Sequence, residues 1–186
     1  FVAKKADAVT ITNMEALDMP AASGISTTAI VMGDFSNDND QVLGRPGVRT
    51  VKDICGQDVY LAELTVSHYL LARALELNGL KENCVRLVNT SDADIAPAFL
   101  ANQSQKVVVT WNPMVMQIAQ DAQAKTTKVF GSAQIPGEIQ DLMVVRTEVL
   151  RRYPQLGKAL VGAWYEVMQI MTQRGRTTDA ALAFMA

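Results

Sequence analysis

Where short apolar runs in this 186-residue chain break into polar residues, the breaks carry groups suited to holding a molecule rather than to cutting bonds. They are Asn13 and Glu15; Asp34, Ser36 and Asn37; Glu63, Thr65, Ser67 and His68; Thr90, Ser91 and Asp92; Trp111 and Asn112; Ser132 and Gln134. Gathered around one cleft they supply amides, hydroxyls, carboxylates and one indole face, a set that fits a small polar ligand. The plain reading of each Ser, Thr, Asn or Asp is a helix cap. Glu63 and Trp111 resist that reading, because neither is a preferred cap and both stand where a strand gives way.

Bond-making chemistry lacks its parts. There is no Gly-x-Ser-x-Gly elbow for a serine nucleophile and no Gly-x-x-x-x-Gly-Lys phosphate loop. His68 is the only histidine, and no cysteine pair has metal-ligand spacing, so no metal or cofactor is implied and the chain reads as a non-enzyme. Cys55 and Cys84 each precede an apolar run. A bridge between them is geometrically conceivable, while two separate half-buried thiols is the simpler reading. The net charge is -2, and the basic residues are scattered apart from Arg151-Arg152 and the pair Arg174 and Arg176. Those pairs read as solvated helix faces, and no positive stripe for a nucleic acid appears. No apolar run reaches the roughly 18 residues of a membrane span, and no secretory signal pattern is present. The chain starts at Phe1 rather than at methionine, and its compartment is not legible from that end.

The elements that must position these groups alternate between β-branched runs and helical patterns, which predicts an α/β fold with parallel strands and helical crossovers. In open sheets of that kind ligands sit beyond the carboxyl ends of the strands. Strands are expected at Ala8–Thr12, Thr27–Met32, Val59–Ala62, Val85–Val88, Val107–Val109, Lys128–Phe130 and Leu142–Val145. Helices are expected from Met14 to Ala22, Thr65 to Leu77, Ser91 or Asp92 to Leu100, and Pro113 to Ala124. The stretch from Phe35 to Val48, rich in Ser, Asn, Asp and Gly, reads as a loop or crossing segment. From Leu150 to Met171 apolar residues recur at helical steps, broken at Tyr153-Pro154, and Trp164 and the methionines read as core packing.

Several segments then resemble a known family. Lys52-Asp53-Ile54-x-Gly56-Gln57-Asp58-Val59, Ser67-His68-Tyr69-Leu70-Leu71, Trp111-Asn112-Pro113 and Ser132-x-x-Ile135-Pro136-Gly137-Glu138-Ile139-x-Asp141 are similar to the nitrate, sulfonate and taurine type substrate-binding proteins of ABC importers. Thr12-Asn13-Met14-Glu15-Ala16-Leu17, Gly33-Asp34-Phe35-Ser36-Asn37 and Asn89-Thr90-Ser91-Asp92-Ala93-Asp94 resemble more narrowly the branch encoded beside urea carboxylase. The resemblance implies a type II periplasmic binding protein-like fold: two lobes with parallel-rich sheets, joined by two crossing strands and closing on a ligand. On that expectation residues 1–43 are a partial first lobe and crossing strand, 44–130 the second lobe, and 131–186 the return crossing and first-lobe helices. The first lobe is then incomplete in this chain. Hinges are expected at Gly33 to Phe35 and at Ser132 to Gly137.

The family's anion binders carry Gly-Ser-Ser before the His-Tyr-Leu-Leu helix, where free N–H groups meet an anion at a helix end. Here the matching stretch is Leu64-Thr65-Val66 with Glu63 before it. Two like charges about 4 Å apart cost roughly 4 kcal/mol at an effective dielectric of 20, so Glu63 disfavours anions. Asp34 and Glu15 add to that bias. The resemblance and these carboxylates together predict an extracytoplasmic, periplasmic or outer-surface component of an ABC importer. Its ligand would be a nitrogen-rich solute such as urea, guanidine or a related amide or amidine, bound by Asn13, Glu15, Asp34, Ser36, Glu63, Thr65, Ser67, His68, Trp111 and Asn112. Its partners would be that small-molecule solute and the permease and ATPase subunits, the permease being its only link to the membrane. Two other classes share the fold: the ligand-sensing domain of a transcription regulator, which normally follows a helix-turn-helix, and an enzyme of the pyrimidine-precursor synthase type, which needs clustered cysteines and extra histidines.

Overall fold

The computed structural model describes residues 1–173 and 175–185. Arg174, half of one expected basic pair, lies outside the described residues. The strands are β1 (Ala8–Thr12), β2 (Thr27–Phe35), β3 (Asp40–Gly44), β4 (Asp58–Leu61), β5 (Arg86–Asn89), β6 (Val107–Trp111), β7 (Thr127–Gly131) and β8 (Gln140–Arg146). The helices are α1 (Asn13–Ala16), extended by a wider turn over Leu17–Ala21, α2 (Val66–Leu77), α3 (Asp92–Ala101), α4 (Met114–Gln120), α5 (Thr147–Arg152), α6 (Pro154–Thr172) and α7 (Arg176–Met185).

Two sheets result, one ordered β1-β8-β2 and one ordered β5-β4-β6-β3-β7. The α/β class is as expected, but the first sheet is wholly antiparallel and the second mixed, rather than both parallel-rich. Only β4–β5 and β4–β6 pair parallel, and the remaining pairings are antiparallel. The crossings are the cause. A chain leaving one sheet enters the next from their shared edge and runs against strands whose carboxyl ends meet there, as β3 does between β6 and β7. This strand lies within the segment expected to be loop, with Val42 and Leu43 almost wholly buried. β2 likewise continues beyond Met32, because Asp34 and Phe35 stay in register with Asp141 and Gln140 of β8. Gly33 to Phe35 is therefore strand rather than a break.

The second sheet holds most of the core. Val107 and Val109 face Leu70, Leu71, Ala74 and Leu75 of α2. Val108, between them, faces Ile95 and Phe99 of α3 and Ile118 of α4. A strand covered on both faces reads as a continuous apolar run, which is why β6 was conspicuous in the sequence. The first sheet is thinner. No residue of α6 is buried, and Val167 and Met168 lie open, so the expected core role of that stripe is corrected. Trp164 is half-buried over Gly33, where a Cβ would come within 3.2 Å of the indole.

Cys55 and Cys84 are joined, their Cα atoms 4.9 Å apart, which corrects the simpler reading of separate thiols. They stand just ahead of β4 and β5, whose parallel register pairs Asp58 with Arg86 and brings the preceding residues together. Closing 29 residues removes about 3.5 kcal/mol of unfolded-chain entropy at 25 °C in the loop-closure account. Urea unfolding should show a loss of that order when both cysteines are replaced by serine; an unchanged midpoint would mean that the link does not constrain the unfolded chain.

Candidate functional site

A cleft of about 350 Å³ opens between the two sheets. From the first sheet side come Thr12, at the end of β1, Glu15 of α1, and Ile139 and Asp141 at the start of β8. From the second come Asn39 and Asp40, Thr65 and Val66, Asp92, Trp111 and Asn112. Thr65, Asp92 and Asn112 follow the carboxyl ends of β4, β5 and β6, where an open α/β sheet presents ligands. Four carboxylates line the space, and no Lys, Arg or His does.

Each carboxylate is held by local structure. Glu15 closes a capping box, its Oε2 accepting from the Thr12 N–H at 2.9 Å. Ser91 serves as the α3 cap, which frees Asp92 to accept from the Trp111 indole N–H at 3.3 Å. Asp40 is buried and accepts a hydrogen bond from the Ser36 hydroxyl. Loss of hydration pushes its pKa up, the Ser36 and Asn39 hydrogen bonds pull it down, and nearby Asp34 adds to the rise. Asp141 lies in register with Thr12 on one side and Asp34 on the other. Partial loss of hydration, a hydrogen bond shared with Asp34, and the charges of Asp34, Asp40 and Glu15 raise its pKa to about 6. Trp111 faces Asp40 across the β3–β6 ladder, lines the cleft and keeps 36% of its surface exposed.

Of the ten residues expected to bind ligand, the structure brings Glu15, Thr65, Trp111 and Asn112 together in the cleft. Thr65 also caps α2, its Oγ1 accepting from the Ser67 N–H, and Asn112 Oδ1 accepts from the Met116 N–H. Asp34 lines an adjoining cavity of about 280 Å³ that shares Thr12, Glu15 and Asp141 with the cleft and is backed by Trp164. The other five are elsewhere. Asn13 braces the return crossing, donating to the Glu138 carbonyl and accepting from the Gln140 N–H. Ser36 is buried against Ser132, and Ser67 is buried with no hydrogen-bond partner for its hydroxyl. His68 accepts the Leu64 N–H at Nδ1 and meets Glu82 at Nε2, so it props the loop before Thr65. Glu63 is exposed on that loop and does not line the cleft, because the left-handed turn at Leu64 intervenes before α2.

Asp40, Asp141, Asn39 and Thr12 also line the cleft and were not among the residues expected to bind ligand. Asp40 was hidden in the supposed loop. Asp141 was visible in the Ile135-to-Asp141 motif, but nothing local told that it faces the cleft. Among the described residues no cluster of three or more His, Cys, Asp or Glu side chains is arranged to hold a metal ion.

The family model described as NMT1/THI5 like matches residues 1–175. No curated protein matches the chain in sequence. Among solved structures, the periplasmic aliphatic sulphonate-binding protein of Escherichia coli superposes with a TM-score of 0.77 at 16% identity, over 91% of this chain and 57% of that one. The alkanesulfonate-binding protein of Xanthomonas axonopodis pv. citri, bound to MOPS, gives 0.74 at 17% identity, over 89% and 56%. An amino acid ABC transporter substrate-binding protein of Streptococcus pneumoniae, bound to L-arginine, gives 0.59 at 9% identity, over 90% and 65%. The fold is thus that of periplasmic binding proteins, and the chain spans just over half the length of the two sulfonate-binding relatives.

Proposed function

From its place in the NMT1/THI5-like family, to which this chain belongs, we propose that it is the ligand-gripping part of an extracytoplasmic solute-binding component of an ABC importer, taking a small nitrogen-rich solute of the urea, guanidine and amidine class. The observation that carries this reading is the cleft between the two sheets, lined by Glu15, Asp40, Asp92 and Asp141 with Trp111 beside them and no cationic side chain. A planar diamino group donates two parallel N–H bonds to one carboxylate, and a positive charge strengthens both. The Trp111 face adds attraction for a flat cation. Guanidinium and amidinium compounds therefore stand ahead of neutral urea at neutral pH. A sulfonate would meet four carboxylates, so the ligand of the sulfonate-binding relatives is not carried over.

Glu63, central to the sequence-based expectation, has no part in this version. Selectivity for nitrogen-bearing guests rests instead on Asp40, Asp92 and Asp141. A solute touching both walls stabilises the closed arrangement by its differential affinity for it, and a permease would read that arrangement. The Cys55–Cys84 link supports an oxidising compartment, the periplasm or the outer cell surface. Both cysteines and His68 are engaged in holding loops, which argues against a catalytic use.

Calorimetric titration with guanidinium, urea, taurine and nitrate tests the proposal. Guanidinium should bind most tightly, urea more weakly, and the two anions not measurably. Tight uptake of taurine or nitrate with silence toward guanidinium and urea would overturn it.

A further inference from the structure

At the opposite end of β8 from Asp141 lies a second cavity, of about 320 Å³, whose charge is the reverse of the cleft's. Lys4, Arg146 and Arg151 line it with one carboxylate, Glu148, and with Ser26 and Thr147, the Ser26 hydroxyl donating to that of Thr147 at 3.1 Å. Arg146 is only 3% exposed, yet its Nε has no hydrogen-bond partner among the described residues. The nearest charge to that nitrogen is Glu148 Oε1 at 3.7 Å, outside hydrogen-bond range and on a largely exposed side chain. The ring of Phe1 covers the guanidinium at 5.7 Å. A buried guanidinium normally has its donors satisfied, because desolvating an unpaired charge is costly.

We infer that this cavity is a second binding site, for a small-molecule oxyanion presenting a phosphate or carboxylate group to Arg146 and Arg151. The planar fork of an arginine matches two oxygens of either group, and three cations against one carboxylate leave the cavity net positive. Lys4 adds a third cation to the same lining. The five residue steps of β8 separate the two sites by roughly 17 Å at strand spacing, so the anion site does not overlap the cleft. Its occupancy does not depend on what the cleft binds.

The experiment is calorimetry with inorganic phosphate and, separately, acetate at constant ionic strength, with the Arg146 Nε–H signal followed by NMR. One saturable site is expected for at least one probe, with a shift of the Arg146 signal on addition, and the stronger probe identifies the oxyanion class. Arg146→Gln should weaken that binding at least tenfold. Arg151→Gln, at an exposed position that poses little risk to folding, should weaken it several-fold. Failure of both probes to saturate, an unmoved Arg146 signal, or undiminished binding by Arg151→Gln would overturn the assignment.

Discussion

Asp141→Asn should weaken guanidinium binding about thirtyfold at pH 7.5 and, in the same protein without ligand, raise the unfolding midpoint. The first effect follows from losing a charge-assisted pair of hydrogen bonds, about 2 kcal/mol at tenfold per 1.4 kcal/mol. The second follows from the crowding of acids around that position. Loss of hydration first, and then Asp34, Asp40 and Glu15, raise the Asp141 pKa, so its ionised form is unwelcome in the folded protein until a cation arrives. Asparagine removes the repulsion and keeps a hydrogen-bonding group. A variant that lost both affinity and stability would show that Asp141 is a structural carboxylate, and the cation-binding reading of the cleft would fall with it.

The same raised pKa sets a pH signature. For an acid whose folded pKa lies above its unfolded value, the folded state binds the extra proton, so this group penalises folding as pH rises from the unfolded value of about 4 through about 6. Below that window the penalty is absent; above it, it is complete. Guanidinium reverses the balance, since it binds the ionised form and expels the proton. Affinity should therefore fall below pH 6, and near pH 6 the calorimetric heat should vary with buffer ionisation enthalpy, reporting proton release. A heat independent of buffer would mean that Asp141 is already ionised, or is not engaged.

How far such a site was legible from the residues depended on how local its causes are. Trp111 ends β6, Asn112 follows it and Thr65 comes shortly after β4; they stood out because a strand-to-helix break is a local pattern. Ser91 and Thr65 were legible as caps for the same reason. Glu63 stands exposed outside the cleft because one left-handed residue, Leu64, changes the direction of the loop, and no composition rule foresees that for leucine. β3 escaped because Asp40-Gln41-Val42-Leu43-Gly44 is short and sits among turn-forming residues. Its strand state is imposed by β6 and β7 on either side, contacts that lie about 70 and 90 residues away in register with Trp111 and Gly131. The antiparallel course of both crossings was invisible for the same reason, although the alternation of strands and helices identified the class correctly.

The residue just after β3 carries the second large effect. Arg45 is 2% exposed, and its guanidinium donates to the Gln105 carbonyl at 2.9 Å, the Ala124 carbonyl at 3.0 Å, the Phe99 carbonyl at 2.6 Å and the Gln103 side chain at 3.1 Å. It also lies 4.4 Å over the Phe99 ring. Among the described residues no carboxylate pairs with it; the charge is solvated by carbonyls, one of them in the last turn of α3, where the helix dipole is negative. Arg45→Met keeps the bulk of the stem but strands buried acceptors on three separate segments, which should cost about 4 kcal/mol and lower the melting temperature by roughly 10 °C. Arg45→Lys should recover only part of this, because one ammonium cannot reach acceptors arranged for a fork. Since α3 and β6 carry Asp92 and Trp111, guanidinium affinity measured well below the melting temperature should fall with the same ranking. Equal urea midpoints for Arg45→Met and the unmodified protein would mean that water replaces the guanidinium at no cost, and that these segments are held together by the apolar core alone.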